Sequence, residues 1–259
     1  LERHFEGNLE PLNKRWRTGY TTFAEIPFPE EIPHPMHRGE NWNSYGPWLL
    51  DWRFRAETVI KELTSIRSIV TELDPAAEIV INPNQVIANH AESGTDLRAM
   101  AGLSHVLGAS FHPAWHFTWA FRHEFPALIA AGVHFLRHDR CRVEITEVQF
   151  GNTVNSSVRP AAVRPRELKH FLLAGLAAGA EQVIGWCLNV RSKDFEAGDW
   201  GLLDNQDEPS PRSHALHEVS ENLARIEARW GTMAAAPPEA HVLVDPDSQA
   251  LEWTEAGMG

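Results

Sequence analysis

Helical and strand-like stretches alternate along most of this chain, and no other feature narrows its fold as much. From Asp51 to Pro75, apolar residues recur at helical spacing (Val59, Ile60, Leu63, Ile66, Ile69, Val70, Leu73), which predicts an amphipathic helix that Pro75 stops. AEIVINPN then reads as a buried strand around Ile79, Val80 and Ile81, closed by Asn82-Pro83. A helix over roughly Thr95 to Gly102 follows, and then the strand VLGASFHP, ending at His112-Pro113. FPALIAAGVHFLRHDRC is helical, and VEITEVQFG is a strand ending at Gly151. RPRELKHFLLAGLAAGA is helical again, with Pro165 in its first turn and Gly179 near its end. QVIGWCLNV is the fourth strand, and SHALHEVSENLARIEARW the last helix.

Strands alternating with helices pair in parallel through right-handed crossovers. The strand cores hold Val, Ile, Ala and Phe, as they must when helices cover the sheet. Four strands cannot close an eight-stranded barrel. The pattern therefore leaves two architectures, an open flavodoxin-like sheet standing alone or the second half of a (β/α)8 barrel. Ala234–Pro238 (AAAPP) reads as a linker, and HVLVDPDSQALEW as one or two strands opening a further domain. Leu1 falls inside a helical pattern and the chain stops after a strand-like segment, so both ends are expected to be cut rather than natural.

A net charge of -12 over 259 residues sets the field against phosphate, which argues against nucleic acid and anionic membrane surfaces and fits a neutral substrate. With only Cys141 and Cys187, neither a disulfide framework nor a four-cysteine zinc site is encoded. No apolar run approaches the roughly 20 residues of a membrane helix, no signal-peptide pattern opens the chain, and a cytoplasmic location is expected. The chain carries 10 tryptophans against 2 tyrosines. Flat rings suit the C–H faces of sugars, although composition alone favours plain core packing.

Parallel α/β folds carry their chemistry at the C-terminal ends of strands. Glu147 sits in the otherwise apolar ITEVQFG strand, where an unpaired carboxylate is costly to bury, so it is either catalytic or paired with a buried Arg. The strand VLGASFHP leads into His112, Trp115 and His116, a candidate sugar platform with a hydrogen-bonding partner. Read as a metal site, His112 and His116 need a helix that Pro113 argues against, and no third ligand presents itself. Asp194, Glu196, Asp199 and Trp200 crowd the loop after the fourth strand, and two of these four are expected to be simply solvated. GxSxG, GxxxxGK[ST] and GxGxxG signatures do not occur, so no cofactor is called for, and Cys187 reads as packing.

Taken together, four segments resemble family-42 glycoside hydrolases in the same order: LNKRWRTGYTTFAEIPFP, ITEVQFGNTVN, WGLLDNQDEPSPR and PPEAHVLVDPDSQALEW. The resemblance implies an α/β (β/α)8 barrel, with residues 1–233 supplying about its second half and 234–259 the linker and start of a following α/β domain. It implies a retaining β-galactosidase acting on a small oligosaccharide or glycoside and assembled as a trimer. Under it Glu147 is the nucleophile, Trp16 walls the sugar subsite, and Glu196 binds a hydroxyl; His112, Trp115 and Asp199, read from their places at strand ends and in the loop, are further expected substrate contacts. The family's acid/base glutamate precedes Leu1, so this chain alone is expected to be inactive.

Three departures touch the sugar pocket. Arg17 stands where the family has Gly, Ser156 where it has a stacking Trp, and Asp199 where it has His. They leave two alternatives to a β-galactosidase: a related β-glycosidase with another sugar preference, such as glucose, arabinose or fucose, and a carbohydrate-binding or assembly protein without catalysis.

Overall fold

The computed structural model describes residues 1–27, 45–84, 86, 93–117, 119–137, 141–151, 163–193, 197–198, 201–231 and 239–255. The chain divides into two compact units, one of residues 1–75, 89–96 and 241–259, the other of residues 76–88 and 97–240.

The first unit is helical. Helix α1 (Leu9–Trp16) begins where Asn8 accepts a hydrogen bond from the Glu10 amide at 2.9 Å, which satisfies one of the free donors of the first turn. It ends at Arg17, whose φ of 57° and ψ of 46° are left-handed. The Arg17 amide closes the helix on the Asn13 carbonyl. This is the position at which the resembling family carries Gly, the residue that accepts that backbone without strain.

Helix α2 (Gly46–Leu73) buries Trp48, Trp52 and Ala56, with Leu49 and Trp52 packed on Ala250. The apolar spacing that predicted this helix lies farther along, and there Ile66, Ile69 and Leu73 are exposed. Length explains the difference. At about 1.5 Å per residue the 28-residue α2 far outruns the partners it packs on, α1 and the 10-residue α8 (Pro246–Glu255).

Helix α8 replaces the strands expected after His241. Pro246 has no amide hydrogen to lose in the first turn, and the Asp245 carboxylate accepts from the amides of Asp247 and Ser248 at 3.3 and 3.2 Å. The Ala234–Pro238 linker lies outside the described residues.

The second unit is built on a parallel sheet in the order β1 (Val80–Ile81), β2 (Val106–Phe111), β3 (Arg142–Gln149), β4 (Gln182–Trp186). Each strand is followed by a helix, as the sequence pattern requires. The helices are α3 (Leu97–Leu103), α5 (Phe125–Leu136), α6 (Pro165–Ala177) and α7 (Pro211–Trp230), with the single turn α4 (Pro113–His116) inserted after β2. Two glycines show which sheet face the helices cover. Gly132 of α5 leaves room for the Phe111 ring and Gly175 of α6 for the Ile145 side chain; a Cβ at either position would collide. Because side chains alternate along a strand, Ser110 points to the face opposite Phe111. Strand β2 is buried along its whole length, as a central strand of an α/β sheet should be.

Candidate active site

Glu147 marks an irregularity in β3. Ala109 pairs with Ile145, but the next residue, Ser110, pairs with Glu147, so Thr146 is skipped. Against β4 the register slips again between Ile145 and Val148. An extra residue in a strand re-aims the side chains beside it, a device found next to active sites. Here it puts Glu147 where its side chain stays 38% exposed although β3 is otherwise largely buried.

The partner of that carboxylate is a histidine and not the arginine a structural ion pair would use. His112 Nε2 lies 3.0 Å from Glu147 Oε2, and the His112 side chain is only 4% exposed. His112 occupies the cap of α4, where its carbonyl accepts from the Trp115 and His116 amides at 2.8 and 2.7 Å. Its ring is flanked by Trp115 at 4.5 Å and, edge-on, by His116 at 5.0 Å between centroids.

Pro113 was expected to forbid a helix here. It instead occupies the first helical position, where a missing N–H costs nothing. The turn brings the two histidines together, but among the described residues no group of three or more His, Cys, Asp or Glu is placed to hold a metal ion.

Burial, helped by the charge that His112 would carry, pushes His116 down to about 4; Glu147 and a hydrogen bond with the Ser110 backbone offset part of that shift. His116 is therefore neutral at neutral pH. Beneath Glu147, Asn82 at the end of β1 donates to the Ser110 hydroxyl at 3.3 Å.

Trp186, which the sequence did not single out, stands at the C-terminal end of the next strand, β4. It pairs in register with Gln149 and joins Cys187 through a cis peptide bond. Its Nε1 is buried with no hydrogen-bond partner among the described residues, and the Arg191 guanidinium lies 5.6 Å from the ring centroid. The strand-end rule that singled out Glu147 and His112 would also have found it.

The other sequence candidates divide in two. Trp16 lies in the first unit, 3% exposed and edge-on to Phe5, and serves that unit's core. Glu196 and Asp199 lie outside the described residues, as do Ser156 and Trp200.

The parallel α/β fold is shared with known enzymes. No protein-family model matches the chain, and no curated protein matches it in sequence. Solved structures do match in fold. A catalytic mutant of a GH42 β-galactosidase from G. stearothermophilus, with a glutamate replaced by alanine, aligns over 97% of this chain with a TM-score of 0.76 and 18% identity. The β-galactosidase of the Antarctic haloarchaeon Halorubrum lacusprofundi aligns over 97% with a TM-score of 0.73 and 16% identity. A GH5_18 protein from Streptomyces cattleya, in complex with GlcNAc, covers 75% of the chain with a TM-score of 0.57 and 17% identity. The chain spans 36% and 37% of the two β-galactosidases and 48% of the GH5_18 protein. The fold is thus that of part of a (β/α)8 barrel of the kind glycoside hydrolases use, and the GH42 β-galactosidases share it over nearly the whole chain. Among the described residues no helix is long and apolar enough to cross a membrane.

Proposed function

We propose that this chain is the nucleophile-bearing part of a retaining β-glycosidase, with terminal β-galactosides as substrate. The observation that carries the reading is Glu147 itself: a half-exposed carboxylate at a strand bulge, held by a histidine whose ring packs on Trp115, in a barrel fold shared with β-galactosidases.

In a double displacement one oxygen of Glu147 attacks the anomeric carbon as the bond to the leaving oxygen breaks, giving a glycosyl ester. A second carboxyl, about 5–5.5 Å away, protonates the leaving oxygen and then takes a proton from the water that hydrolyses the ester. We assign that second carboxyl to a segment preceding Leu1 in the full-length protein. Trp115 and Trp186 offer ring faces for the C–H side of the sugar, the resemblance adds Glu196 as a hydroxyl-binding residue, and Asp199 is a further substrate contact in place of the family's His. A trimeric assembly and a domain beginning after residue 233 belong to the same proposal.

Turnover of nitrophenyl β-galactoside and a small panel of other glycosides by the full-length protein tests it. Activity should collapse in Glu147→Gly and return in part with azide, which replaces the missing nucleophile. Wild-type turnover by Glu147→Gly would remove Glu147 from the chemistry, and turnover of another glycoside in preference would reassign the sugar.

A further inference from the structure

Among the described residues the Glu147 carboxylate is tied at one oxygen, Oε2, and the group that ties it is more deeply buried than the carboxylate itself. We propose that His112, braced by His116, is a positioning residue: it fixes Oε2 of Glu147 and leaves Oε1 as the attacking atom. This inference rests on the reading of Glu147 as nucleophile and goes beyond it, because it selects the reacting oxygen and moves His112 from substrate contact to support of the nucleophile.

The burial contrast comes first. The His112 side chain is 4% exposed and that of Glu147 38%, so the imidazole sits behind the carboxylate and not on the open side from which a sugar would approach. Rigidity comes second. The His112 carbonyl takes two amide hydrogen bonds of the α4 turn, and its ring is wedged between Trp115 and His116. A carboxylate fixed by such a neighbour loses a rotor before the reaction begins, which is where positioning lowers a barrier.

The chemical nature of the donor comes third. Among the described residues the ion-pair partner of Glu147 is His112, with no Arg or Lys beside it. A guanidinium would stabilise the ionised ground state, and that stabilisation is lost once the carboxylate becomes an ester. An imidazole orients the carboxylate through a single contact at Oε2. His116, held down to about 4 by burial, packs edge-on against His112 and adds no positive charge of its own near Glu147. The titratable groups acting on His116 are His112 and Glu147; on the β4 side Arg191 is placed over Trp186.

Two variants of the full-length protein separate positioning from substrate contact. His112→Phe keeps a ring between Trp115 and His116 but removes the donor, and His112→Gln keeps an N–H near the position of Nε2. His112→Phe should lower kcat by about 10²-fold, the usual cost of one preorganised donor, with KM nearly unchanged and the same loss for every glycoside tested. His112→Gln should recover at least tenfold of the loss.

A raised KM with intact kcat in His112→Phe would make His112 a substrate contact and overturn the inference. So would a loss that differs from one glycoside to the next. If His112→Phe does not fold, a folded His112→Gln that loses more than 10²-fold in kcat overturns it equally. Glu147→Gln with wild-type turnover sinks the nucleophile assignment itself, whereas loss in Glu147→Gln with none in His112→Phe sinks only the role of His112.

Discussion

The two ends of β3 carry charged residues of opposite purpose. At the N-terminal end, Arg142 is hydrogen-bonded to Glu78 and lies 3.7 Å from Glu181, so full charges of opposite sign meet in the open. At the C-terminal end, Glu147 has a buried imidazole for a partner and a bulge beneath it. The first arrangement neutralises its carboxylates and ties neighbouring strand ends together. The second holds a single carboxylate against a buried ring. Carboxylates at strand ends are common in α/β folds, and what marks one as reactive is the partner it is given and the regularity of the ladder around it. The same asymmetry holds for the barrel class at large, where the C-terminal face carries chemistry and the N-terminal face stability.

The comparison is broken or sharpened most strongly by Glu147→Gln in the full-length protein. It should cut kcat by about 10³-fold or more, as loss of an activated nucleophile does. Its melting temperature should stay close to that of wild type, because the side chain is half-exposed and no buried charge is orphaned. A large fall in melting temperature would place Glu147 with the structural pairs at the other end of the strand.

Acid stability should separate the two ends next. The folded pKa of His116 is about 4 against an ordinary 6.5, so between those values the unfolded chain binds the extra proton and the folded chain does not. The stabilisation is complete above pH 6.5 and fades as pH falls toward 4, by up to about 3 kcal/mol. Denaturant unfolding of wild type and His116→Leu at pH 7 and pH 4.5 reads this directly. The variant should lose less than wild type on acidification, and parallel losses would deny His116 a neutral, buried state.

A smaller effect is expected at Trp186. Removal of a stacking ring is worth about 0.5–1.5 kcal/mol, so Trp186→Ala should raise KM for a glycoside by roughly threefold to tenfold. An unchanged KM would remove Trp186 from the sugar platform. Smallest of all is Arg142→Ala. Exposed pairs contribute about 0–1 kcal/mol, and activity should not move at all. If kcat fell with Arg142→Ala, the two ends of β3 would not be as separate in function as their geometry makes them.

Much of this was legible from the chain. Strands β2, β3 and β4 are short apolar runs closed by turn residues, and α5, α6 and α7 carry their own start signals, so periodicity was sufficient to place them. Glu147 and His112 stood out because a carboxylate and a histidine interrupt or end apolar strands. What escaped depends on relations between segments. The bulge at Thr146 exists only in the register of β3 against β2 and β4, and no single segment encodes it. The exposed end of α2 depends on how far its neighbours reach, and periodicity says nothing of that. Helix α8 looked like a strand because Val242, Leu243 and Val244 precede it, while the capping chemistry of Asp245 and Pro246 carried more weight than that run.

The account stands or falls on covalent chemistry at one atom. The most direct measurement is peptide mapping by mass spectrometry after the full-length protein is incubated with a 2-deoxy-2-fluoro-β-galactoside carrying a good leaving group, a substrate that forms the glycosyl ester but hydrolyses it slowly. The account predicts one equivalent of sugar on the peptide that contains Glu147, with activity lost in proportion to labelling. A label on another carboxylate, or an active enzyme that takes up none while releasing inverted product, would contradict it.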